Sequence, residues 1–121
     1  LHALFGQIAT DLYKQSDVLA ERSAALGGMP RCSPQSVVAA TKLKPYPSFG
    51  FDGAEHLDEL STRMAILSTE LRQSVLAIDG GADPVSADLL TDTCASVDHL
   101  LWLIESHFSV EDSRAFPKLQ S

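Results

Sequence analysis

What this chain lacks narrows its class before any motif is read. No stretch approaches the roughly eighteen unbroken apolar residues of a membrane span, and no basic start, apolar run and small-residue cleavage site marks a leader at Leu1. The expectation is a cytoplasmic protein without membrane contact. Cysteine is scarce: Cys32 and Cys94 fit no metal-ligand spacing and read as unpaired thiols of a reducing compartment. Positive charge is scarce too, with 9 Lys and Arg against 16 Asp and Glu, a net charge of -7 and a densest basic run of only Lys42-Leu43-Lys44. Nucleic acid demands clustered cations that displace its counterions, so DNA is an unlikely partner for this sequence. Gly-rich phosphate loops, Ser/His/Asp sets and Cys/His nucleophile pairs are missing. Strand-like alternation and internal repeats are missing as well, which leaves an all-α chain with one modest core.

Four helical segments are present. From Leu1 to Leu26 the residues Leu1, Phe5, Ile8, Leu19 and Leu26 lie within about 40° of Leu12 at about 100° per residue, a core stripe. Gly27-Gly28 ends it. Ser33-Pro34 reads as N-cap and first residue of a short helix to about Thr41. The prolines and glycine of Lys44-Pro45-Tyr46-Pro47-Ser48-Phe49-Gly50 make a loop. Leu57, Leu60, Met64, Leu67, Leu71 and Ile78 alternate threes and fours along a long helix from Gly53 to Ile78. Asp83-Pro84 opens the last helix, with Leu90, Cys94, Val97, Leu101, Ile104 and Phe108 on one stripe. His107 then falls on its last turn as a partner for the helix dipole. Ser109 to Ser121 is polar and is expected to be a surface arm or frayed tail. His56 and His99 read as surface residues, and Trp102 as core or interface packing.

The chemistry-bearing pair is Asp17 and Glu21, at i and i+4 on the first helix and so on one side of it. Taking Leu12 as zero, they point to about 140° and 180°, away from the core stripe. Beside them, between about 60° and 120°, His2, Gly6, Ala9, Tyr13 and Ala20 form an uncharged strip that suits helix packing rather than open solvent. His2 and Asp17 are separated by roughly 22 Å along a helix and cannot share an ion within one chain. Across an antiparallel two-fold near Ala9 and Thr10 they can. One imidazole and two carboxylates suit iron, manganese or zinc better than calcium or magnesium. An ordinary solvated face is the alternative for a bare pair of acids.

These stretches carry a family resemblance. Leu1-His2-Ala3-Leu4-Phe5, Asp17-Val18-Leu19-Ala20-Glu21-Arg22 and Leu26-Gly27-Gly28 resemble the second helix of the Dps miniferritins, ferritin-like proteins of starved cells. Leu43-Lys44-Pro45-Tyr46-Pro47 resembles the loop before the family's third helix. Ala87-Asp88-Leu89-Leu90-Thr91 and Leu101-Trp102-Leu103-Ile104-Glu105-Ser106 resemble its last helix. Nearly the whole chain is covered, in register.

The resemblance implies a ferritin-like four-helix bundle of which three long helices and a short crossover helix are present. It implies a single domain over residues 1–121, cut short before a first helix that would precede Leu1. It further implies a cytoplasmic dodecamer of two-fold dimers that oxidises ferrous iron at sites between subunits and stores ferric mineral, with peroxide as oxidant. His2, Asp17 and Glu21 match the family's metal positions, whereas Gly6 stands where an acidic ligand is usual. Asp83, Asp88 and Asp92 either complement the helix dipole or, as the resemblance implies, line a three-fold pore that admits cations. The expectation from another class is a catalytically weak or silent shell, an interaction protein of the same fold.

Overall fold

The computed structural model describes residues 1–47, 50 and 52–115, with side chains described through Phe108. Its helices are α1 (His2–Ala25), α2 (Pro34–Ala40), α3 (Gly53–Ala77) and α4 (Pro84–Ala115), and no strand occurs among the described residues. Most boundaries follow from local chemistry. At the end of α1 the Gly28 and Gly27 N–H groups donate to the Ser23 and Ala24 carbonyls at 2.8 and 3.0 Å, and Gly27 sits at φ +87°. That is a Schellman turn, which a side chain at Gly27 would strain. The Ser36 N–H of α2 donates to Ser33 Oγ. At α3, Asp52 and Glu55 form a reciprocal capping box, with N–H to carboxylate distances of 2.9 and 2.8 Å. The Ser86 N–H of α4 donates to Asp83 Oδ1 at 3.1 Å.

One boundary differs from expectation. The last helix continues through Ser109 to Ala115, where a polar arm was anticipated, so His107 lies in the helix interior, its Nδ1 2.8 Å from the Leu103 carbonyl. Apolar periodicity does end near Phe108, but Val110 to Ala115 holds no helix breaker, and a helix can run past its buried face. The rest of the anticipated tail, 116–121, lies outside the described residues.

The core gathers on α4, which packs against both α3 and α1. Leu57, Met64 and Leu71 of α3 meet Cys94, Val97, Leu100 and Ile104 of α4, while Leu4 and Ile8 of α1 close the cluster. Leu100 was absent from the expected stripe, yet it is buried because α4 is covered from two sides. Trp102 is 57% exposed, its ring tilted against His99 at a centroid distance of 5.6 Å, and so is not core in this chain.

The stripe expected on α1 is only partly buried. Leu1 and Leu26 are 45% and 59% exposed, and Phe5 and Leu12 are half-buried. The face turned to α4 holds Leu4, Gln15 and Arg22, at about −80°, −60° and −80° on the same angular scale. Gln15 Nε2 donates to Ser96 Oγ at 3.3 Å and Thr93 Oγ1 donates to Gln15 Oε1 at 3.0 Å. Arg22 Nε donates to Ser86 Oγ at 2.9 Å. The apolar stripe is therefore turned some 70° from α4, toward an open groove between α1 and α3. Two depressions of about 440 and 400 Å³ lie in that groove, and Leu12 and Leu60 border both.

Candidate metal centre

His2 stands at the first residue of α1, with Asp17 and Glu21 some four to five turns later; all are exposed. Their separation of roughly 22 Å along the helix leaves no complete site in one chain. Among the described residues no group of three or more His, Cys, Asp and Glu is placed to hold a metal ion. The strip beside these residues, at about 60° to 120°, points nearly opposite to the face that meets α4. Gly6 and Ala9 on it are exposed and Tyr13 is 75% exposed. Within the single chain a Cβ built at Gly6 meets nothing within 4 Å.

The aspartates at the start of α4 divide into two kinds. Asp83 caps the helix through Ser86 and pairs with Arg22 Nη2 at 2.9 Å, joining the last turn of α1 to the first of α4. The Ser86 hydrogen bonds and the Arg22 guanidinium hold its carboxyl below the usual aspartate range. Asp88 and Asp92 are exposed and a turn apart on the helix surface. A role for Asp83 beyond capping and pairing must compete with bonds already made.

Two further clusters escaped the reading of the sequence. Tyr46 of the crossover donates or accepts a 2.8 Å hydrogen bond with His56 Nδ1, and the Arg63 guanidinium lies 4.9 Å from its ring centroid. Arg63 also binds Glu59 at 2.6 Å and the Pro45 carbonyl at 3.2 Å, fastening the crossover to α3. Burial, with the nearby Glu59 carboxylate, raises the Tyr46 phenol above its ordinary value. Between α3 and α4, Asp98 accepts from Ser68 and from Arg72 Nη2, the latter at 2.5 Å. Arg22 was legible in principle, because its angular position coincides with that of Leu4. The Tyr46 and Asp98 clusters join residues distant in sequence and carry no local signal. Cys32 is exposed and Cys94 buried, both as free thiols.

Long α-helices packed around α4 and a short helix in the crossover define a ferritin-like helical protein. The ferritin-like domain model matches residues 1–112. The chain is 35% identical over 107 residues to the DNA protection during starvation protein of Agrobacterium fabrum, covering 88% of this chain and 66% of that one. It is 31% identical over 91 residues to the fine tangled pili major subunit of Haemophilus ducreyi, covering 75% of this chain and 48% of that one. A crystal structure of a Dps protein from Deinococcus radiodurans superposes with a TM-score of 0.81 at 22% identity, covering 87% of this chain and 63% of that one. The chain belongs to the ferritin-like domain family, as a Dps-like miniferritin. It spans two thirds or less of the length of these curated relatives. No helix among the described residues is long and apolar enough to cross a membrane.

Proposed function

We propose that this chain is the larger part of an iron-binding miniferritin that oxidises ferrous iron at sites shared by two copies, stores it as ferric mineral and so protects against peroxide. The observation that carries this is the exposed, uncharged strip opposite α4, with His2 at one end and Asp17 and Glu21 at the other. An antiparallel two-fold across that strip makes two equivalent donor sets, each with the imidazole of one copy and the carboxylates of the other. These donors fit a borderline divalent ion, ferrous iron as substrate with zinc or manganese as competitors. Negative oxygen ligands favour the ferric product. Two ferrous ions give up one electron each, the O–O bond of one hydrogen peroxide breaks, and two hydroxides form.

The rest of the reading follows the family resemblance and the open groove. A helix preceding Leu1 would lay an apolar face on Phe5, Leu12 and Leu60 and complete the four-helix bundle. The assembly is a cytoplasmic shell of twelve copies built from two-fold dimers, with Asp88 and Asp92 near the route that cations take inward. DNA is not a partner of this acidic segment. The second reading, a shell or interaction protein with little or no oxidation, is favoured by Gly6 at the metal strip and by the likeness to a pilus subunit.

Complementation between subunits tests the proposal. His2→Ala protein and Asp17→Asn/Glu21→Gln protein are each expected to lose fast ferrous oxidation under peroxide, followed near 300 nm where ferric species absorb. Each mixed dimer after subunit exchange regains one intact site. Mixtures no more active than either parent refute the shared site, and slow background in the unmodified protein favours the silent shell.

A further inference from the structure

The seam between α1 and α4 changes character along its length. Near the start of α1 it is apolar, where Leu4 and Ile8 join the buried cluster that contains Leu100 and Ile104. No residue of α1 after Ile8 is fully buried, and two polar layers take over. In one, both ends of the Gln15 amide are used, Nε2 donating to Ser96 Oγ and Oε1 accepting from Thr93 Oγ1. In the other, Arg22 spans Ser86 Oγ and the Asp83 carboxylate, each at 2.9 Å. The layers lie seven residues apart on each helix, from Gln15 to Arg22 and from Thr93 back to Ser86. They therefore share one antiparallel register, and that register carried seven residues the other way sets Ile8 opposite Leu100.

Apolar and polar layers constrain a helix pair differently. Apolar contacts tolerate a slide of one heptad, about 10 Å at about 1.5 Å per residue, because one apolar side chain replaces another. A slide toward the end of α4 would instead set Gln15 against Leu100 and Arg22 against Thr93 in place of a carboxylate. A slide toward its start would carry Arg22 beyond Pro84, the first residue of α4. Stability hardly depends on these layers, since such pairs contribute little over apolar replacements. Without them Thr93 Oγ1 still donates to the Leu89 carbonyl at 2.8 Å, and Asp83 still accepts from the Ser86 N–H. A helix in the groove between α1 and α3 would touch the other flank of α1 and leave both layers in place. We infer that Gln15 and Arg22 are register keys, which fix where α1 stands along α4 and so how its exposed strip is set on the rest of the chain.

Crosslinking tests this in the full-length protein. Lys14 and Ala95 are exposed and border one cleft beside the Gln15 layer, and Cys94 is buried. In Cys32→Ser protein carrying Lys14→Cys and Ala95→Cys, a short bismaleimide should join α1 to α4 in most chains, as read by peptide mass spectrometry. Adding Gln15→Leu and Arg22→Leu should leave the urea midpoint level or higher, yet reduce the crosslink to a minority of chains as α1 slides. Should the leucine protein unfold at lower urea or fail to fold, exchanging the layers decides. Gln15→Arg/Arg22→Gln should lose the crosslink, and Asp83→Ser/Ser96→Asp added to it should restore it. A crosslink that survives both leucines, or an exchange that restores nothing, overturns the inference.

Discussion

If the groove between α1 and α3 is open in this chain, the cost of deleting a large apolar side chain should depend on which side of α1 it faces. Ile104 is 0% exposed between α4 and its neighbours. Replacing such a residue by alanine leaves a cavity and costs about 2–5 kcal/mol. Leu12 is half-buried and borders both depressions of the groove. Leu12→Ala removes three carbons worth about 0.8 kcal/mol each when fully buried, roughly half of which is realised here, and leaves no closed cavity, so about 1 kcal/mol is expected. With a urea slope of about 2 kcal/mol per molar, the midpoint falls by about 0.5 M for Leu12→Ala and by about 1–2.5 M for Ile104→Ala. Unfolding by circular dichroism at matched protein concentration reads both, since assembly shifts apparent stability. Equal losses for the two variants would refute an open groove. In a longer chain carrying the upstream helix, Leu12→Ala should move into the range of Ile104→Ala; a loss that stays near 1 kcal/mol there sinks the proposed seating of that helix.

Other outcomes follow from single residues. Because the folded carboxyl of Asp83 titrates below its unfolded value, the stability it confers is present above the ordinary aspartate pKa of about 4 and is lost as the pH falls through the lower folded value. Asp83→Asn should accordingly flatten the drop in urea midpoint between pH 6 and pH 3, and an unchanged acid limb would argue against the pairing. Asp52→Ala removes the side-chain half of the α3 capping box and should cost about 1 kcal/mol, against almost nothing for Asp88→Ala away from any cap. The raised phenol of Tyr46 can be read in Tyr13→Phe protein, where it is the one remaining tyrosine. Its 295 nm absorbance should rise at higher pH than that of a free tyrosine, and a midpoint at the free value would contradict the partial desolvation of its hydroxyl and the influence of Glu59.

Much of the architecture was legible because helix ends are local chemistry. Ser33-Pro34, Asp83-Pro84 and Gly27 each satisfy or release backbone groups through side chains within a few residues, and each marks a boundary where anticipated. The end of α4 was not, because apolar spacing reports where a face needs a partner rather than where hydrogen bonding stops. Crossover contacts such as Tyr46 with His56 and Arg63 depend on the path of an irregular loop, which periodicity does not describe.

The rotation of α1 shows what the apolar stripe measures. A stripe centred on Leu12 was read as the face toward this chain's core, but α4 meets the flank that carries Leu4, Gln15 and Arg22. Hydrophobic periodicity sums every burial that selection has acted on, including contacts with segments and copies beyond the residues present. Phe5 and Leu12 over an open groove, and Tyr13 exposed on the seam opposite α4, are two unmet demands of one helix. The proposed donors His2, Asp17 and Glu21 follow the same logic: each is recognisable alone as a side chain able to bind a metal, whereas the shared site proposed for them would be a property of two helices. Two open faces on α1 therefore argue for two different partners: an apolar helix against the groove, and a second α1, antiparallel and close, against the seam beside His2, Asp17 and Glu21.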